Sequence, residues 1–261
     1  MSNFHSRSNS LPSKSHPVMD EIQDHLYWLR GSEITSAKSI CSNLACLINL
    51  HEGIKNLIQV PSIQQAISHD QCGTWIEEIL EGSLGLVDLC GFSRDVVSLT
   101  KESVQDLESS IRRNRGETAV AMDVNSYVAS RKKINQMINN NIKNMKCFNK
   151  NLTPLLENAE DLKAIVTVLK ETEAISSSVL KSVADTHVRG KEKIKAKKLV
   201  IAFEARPNYM LQKGMDKITK QNLLTKLKSS EVTIQDLEEG LESFFRSLVK
   251  TRVSLLNALS H

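Results

Sequence analysis

Residues 234–261 read IQDLEEGLESFFRSLVKTRVSLLNALSH, and the spacing of their apolar side chains decides the fold class. Ile234, Leu241, Leu248 and Leu255 recur every seven residues, with Leu237 and Phe244 at the second position of the same seam. Seven residues are close to two turns of α-helix, so these side chains share one face. Phe245, Leu256 and Leu259 widen the stripe. Ser230 is expected to cap this helix, with Glu231 in the first turn, where its charge meets the positive end of the helix dipole.

Working back from that stretch, residues 187–228 are Lys-rich and interrupted by Gly190, Pro207 and Gly214, so an irregular basic segment or loop is expected there. Before it, Thr153 makes a good N-cap with Pro154 at the first helical position. The helix it opens carries Leu155, Leu162, Ile165, Val166, Leu169, Val179 and Val183. A helix over 117–148 holds Val120, Val124, Tyr127, Val128, Ile134, Ile138, Ile142 and Met145. A longer one over 74–113 shows two columns with seven-residue steps: Ile76, Cys90, Val97, Val104, Ile111, and Ile79, Leu86, Thr100, Leu107. Gly82, Gly85 and Gly91 in its first half allow a kink or a close helix contact. Further back, Ile40, Leu44, Leu47, Ile54, Leu57 and Ile58 mark a helix over 36–59, ended by Pro61, with a short helical turn at 62–69. Pro17 opens the first helix, which carries Ile22, Leu26 and Leu29, and Gly31 stops it.

Only 10 Gly and 5 Pro occur in the 261 residues, about half their usual share, which argues against many short strands and hairpins. Long helices with short connections pack as antiparallel neighbours. The fold class is therefore all-α: an elongated antiparallel multi-helix bundle with long helices, one domain over 17–261. Residues 1–16, MSNFHSRSNSLPSKSH, are Ser-rich and acid-free without periodicity, and read as a disordered arm.

Several stretches are similar to a known family. HSRSNSLPSKSHPVMDEIQDHLYWLR (5–30) and the closing stretch 234–261 resemble the opening and the C-terminal signature of the plant-specific BYPASS-like proteins, a domain-of-unknown-function family. Between them VPSIQQAISH (60–69), WIEEILEGSLGLVDLC (75–90) and VASRKKI (128–134) stand in the family's order, while 187–220 shows little likeness. The resemblance implies a plant protein connected with root and shoot development. It brings no catalytic residue, cofactor or reaction.

Charge is unevenly placed. Residues 1–100 hold 6 Lys/Arg against 11 Asp/Glu, residues 101–150 hold 10 against 5, and residues 187–228 hold 12 against 3. Lys191, Lys193, Lys195, Lys197 and Lys198 precede the apolar run 199–203, an order that suits contact with an anionic membrane surface at about 1 kcal/mol per basic residue. A solvated face or loop is the plainer reading. The block has no interleaved aromatics, so no nucleic acid partner is expected. Arg112, Arg113 and Arg115 suit a helix C-terminus, and Arg131, Lys132 and Lys133 lie on the helix that follows.

Arg7, Ser8, Ser10 and Pro12 form the sharpest short motif. Arg7 stands three residues before Ser10, as basic-directed kinases require, and phosphorylation of Ser10 would make a ligand of the 14-3-3 type. Otherwise the site search is negative. His51-Glu52 lacks the second His of a zinc-protease helix, and no phosphate loop or nucleophile elbow occurs. His25 and the pair His69-Asp70 read as packed, capping or surface residues, Glu77, Glu78 and Glu81 as a wet helix face, and Trp75 and Phe244 as core. The odd set Cys41, Cys46, Cys72, Cys90 and Cys147 contains no CxxC pair and reads as reduced, packed thiols. Residues 1–20 lack the apolar core of a secretory leader, although an acid-free, Ser-rich start also resembles a plastid transit peptide. The expectation is a cytoplasmic, non-enzymatic regulatory or interaction protein without cofactor or metal, with protein partners bound through helix faces or the arm. The alternative is a peripheral membrane protein held by residues 191–203.

Overall fold

In the computed structural model the described residues are 17–32, 36–69, 74–113, 117–144, 160–189 and 217–260. Among them the regular elements are helices: α1 (Pro17–Gly31), α2 (Ala37–Ile58), α3 (Pro61–His69), α4 (Thr74–Arg112), α5 (Glu117–Asn144), α6 (Glu160–Arg189) and α7 (Lys217–Leu259). At 1.5 Å rise per residue, α4 and α7 are each about 60 Å long, which gives the bundle its elongation.

Local chemistry sets the breaks. Ser36 caps α2 with extended backbone, its hydroxyl accepting from the Ser39 N–H at 3.2 Å while Ser39 Oγ accepts from the Ser36 N–H at 3.1 Å. This reciprocal pair satisfies two N–H groups that the first turn otherwise leaves open. Pro61 cannot extend α2 and instead begins α3, whose first carbonyl partner, Val60, accepts from Ile63 and Gln64 at 2.9 Å.

Four helices close the bundle. α7 packs against α2 and α4, and α6 packs against the same two from the other side. Among the described residues the backbones of α2 and α4 do not come close to each other, nor do those of α6 and α7, so each pair lies across a diagonal. Consecutive long helices run antiparallel, whereas closure places α2 beside α7 in parallel. Gly240 packs on Leu44, and further along both helices Thr251 Oγ1 donates to His51 O at 3.2 Å. α1 covers the α2–α6 side, with Ile22 against Gly53 and His25 against Cys46. α5 covers the α4–α6 side. The main core draws buried residues from all seven helices, from Ile22 in α1 to Ala258 in α7.

The expected apolar faces of α1, α2 and α4 are buried throughout, Thr100 included. Four expectations need correction. Ser230 does not cap α7 but lies well inside it, because Leu223 and Leu227 extend the three–four spacing of the stripe backward to a start at Lys217. The irregular segment expected over 187–228 therefore loses both ends, since residues 187–189 finish α6 and residues 217–228 begin α7. Leu256 is exposed, since α7 turns that position away from its neighbours. Glu78 is half-buried rather than wet, held by an ion pair with Lys170 of α6. The helix start at Thr153-Pro154 and the arm 1–16 lie outside the described residues.

Candidate functional site

Three places on the molecule carry polar chemistry beyond an ordinary wet surface. In the first, α2 brings His51 into the core opposite Ser176 of α6. Its Nε2 lies 3.1 Å from Ser176 Oγ, and Phe244 of α7 meets the ring edge-on at 5.3 Å between centroids. Burial lowers the imidazole pKa to about 4, so the ring is neutral near pH 7, and Nδ1 has no hydrogen-bond partner. The distance is that of a nucleophile and its base. The chemistry is not, because His51 is 4% exposed and Ser176 0%, so no substrate can reach the hydroxyl. The pair is read as a polar layer that aligns α2 with α6.

A second cluster lies between α4 and α6. The Glu173 carboxylate occupies the space where a side chain on Gly82 would stand, so the glycine is what lets these helices meet there. Desolvation raises the Glu173 pKa to about 7, with Glu78 and Glu81 adding to the rise and Lys170 opposing it. Perturbed carboxyls mark many active sites, yet helix seams produce them too. Among the described residues no group of three or more His, Cys, Asp or Glu is arranged to hold a metal ion.

The third is a surface groove of about 660 Å³ between α1 and α6. Met19, Leu26, Tyr27 and Val168 supply its apolar lining, and Lys163 and Glu171 charge its α6 wall. Arg30 crosses the groove to pair with Glu171. Tyr27 is 77% exposed and the neighbouring Trp28 47%, so α1 shows solvent two large rings opposite its buried Ile22, Leu26 and Leu29.

The sequence motifs map onto this only in part. Arg7, Ser8, Ser10 and Pro12, and Lys191, Lys193, Lys195, Lys197 and Lys198, all lie outside the described residues, as do Cys72 and Cys147. Cys41, Cys46 and Cys90 are free thiols, and burial raises the pKa of each, Cys90 to about 12. Trp75 and Phe244 are core. Arg131, from the basic run on α5, is 9% exposed, and its guanidinium donates to Thr100 Oγ1 at 3.3 Å. No described helix is long and apolar enough to cross a membrane.

These features define an all-helical bundle with buried polar layers and an aromatic outer face on α1. The family model described as Protein BPS1 matches residues 43–258, so the chain belongs to that family, the BYPASS-like family. No curated protein and no solved structure matches the chain.

Proposed function

We propose that this chain is a non-enzymatic regulatory protein of plant root and shoot development that works by binding other proteins. The observation that carries the reading is the exposed pair Tyr27 and Trp28 beside the α1–α6 groove. Aromatic rings anchor protein contacts because each buries a large apolar area with few rotatable bonds to order. Family membership supports the developmental setting, and the inaccessibility of the His51–Ser176 pair supports a role other than catalysis. The arm supplies a second contact of the same kind, through a phosphorylated Ser10 recognised by a 14-3-3 protein.

The test compares wild type with the Tyr27→Ala/Trp28→Ala double variant, expressed at matched levels in plant cells, by affinity capture and quantitative mass spectrometry. Both substituted rings are exposed, so the helix content and denaturation midpoint of the purified variant are expected to stay at the wild-type values. The reading expects proteins captured reproducibly by the wild type to be lost from the variant. Identical capture profiles from two equally folded chains would overturn it.

A further inference from the structure

We propose that α5 is a releasable strap, which comes off α4 and α6 as one unit while the bundle of α2, α4, α6 and α7 stays closed.

The buried stripe of α5 is Val124, Tyr127, Arg131, Ile134 and Ile138, so a charged side chain sits at its centre. Val124 and Tyr127 join the main core, but Ile134 and Ile138 pack with Val96 and Ala184 in a separate small patch. The half of α5 beyond Arg131 therefore holds on through that patch, not through the continuous core.

The surface beneath is built to be wetted. Thr100, which meets Arg131 of α5, donates its own Oγ1 hydrogen to Val96 O at 2.8 Å, so this hydroxyl keeps a bond within α4 when α5 leaves. On α5, Asn135 Nδ2 donates to Arg131 O at 2.9 Å, while its buried Oδ1 has no hydrogen-bond partner among the described residues, so release would hydrate it. Undocking breaks the contacts of Arg131 with Thr100 and of Ser110 with Asp123, polar contacts of a kind that water can replace. The strap is tethered unequally: residues 114–116 join it to α4, while residues 145–159 separate it from α6. Its N-terminal end stays beside α4, and its far end has the longer reach. Release bares Val96, Ala184 and Thr100 on the bundle.

Native-state hydrogen exchange on the full chain tests this. Amides of α5 between Met122 and Asn141 are expected to exchange at least ten-fold faster than those of α2 and α7, and with a weaker denaturant dependence, because less surface opens. Ile138→Asp places a charge in the small patch, and is expected to speed α5 exchange further while leaving α2 and α7 protection unchanged. Ile134→Ala serves as the milder variant should the Asp chain fail to fold. Equal protection of α5 and α7 in the wild type would overturn the proposal. So would loss of protection in all helices together in Ile134→Ala.

Discussion

The two flanks of α4 differ although one helix carries both. Toward α7 stand Ile76, Cys90, Val97, Val104 and Ile111, all buried, with Cys90 Sγ donating to Leu241 O at 3.7 Å. The rim of this seam is charged: Lys101 reaches Glu238 at 2.5 Å and Gln235 at 2.9 Å, Arg94 pairs with Glu242, and Arg252 donates to Ser83 at 2.6 Å. Toward α6 and α5 stand Trp75, Gly82, Leu89, Val96, Ser103 and Ser110, also seven apart and also buried. That column begins apolar and ends in hydroxyls where α5 covers it. Periodicity alone tells that a flank is covered. The chemistry along it tells how firmly.

The largest expected effect belongs to the α7 side. Phe244 is fully buried where α7 meets His51, so Phe244→Ala removes an aromatic side chain from the core and leaves a cavity there. A loss of about 3–5 kcal/mol in urea-induced unfolding is expected. A loss near zero would mean that the seam does not hold the bundle together.

Acid separates the seams next. The folded pKa of His51 lies below its ordinary value, so the neutral ring favours the fold above about pH 6.5, and that advantage is lost as pH falls toward 4. The change across that window is on the order of 3 kcal/mol. Glu173 acts in the opposite sense. Its folded pKa is raised to about 7, so its protonated form favours the fold, and that contribution fades as pH rises from the ordinary carboxyl range through 7. Stability measured against pH is thus expected to steepen in its acid loss for Glu173→Gln and to flatten for His51→Gln. Two superimposable profiles would remove both assignments.

Much of this was legible before any coordinates. Both α4 columns read from the sequence are buried, because apolar residues at a seven-residue step have one way to leave water together. The third column was not, since Gly82, Ser103 and Ser110 break its hydrophobic pattern, and their burial follows from neighbours far away in the chain. The start of α7 was masked in the same way by lysines around Leu223 and Leu227. Arg131 looked like part of a basic surface block, and only its three–four spacing from Tyr127 and Ile134 signalled a buried place. His51 shares a side of α2 with Leu47 and Ile54, which was the available sign that it points inward. The α1–α6 groove depends on the meeting of helices some 140 residues apart, and the one local sign of it was an aromatic pair off the apolar face of α1.

Val96 and Val97 offer the sharpest test, being consecutive, identical and both fully buried, yet about 100° apart around α4. Val97 belongs to the main core and Val96 to the small patch under α5. Equilibrium unfolding of Val97→Ala and Val96→Ala is the measurement. Val97→Ala is expected to cost about 2 kcal/mol. The cost of Val96→Ala is expected to be clearly smaller, because its contacts with Ile134 and Ile138 belong to an element that opens on its own, and only those with α6 remain tied to global unfolding. Equal losses from the two valines would contradict the distinction between the flanks.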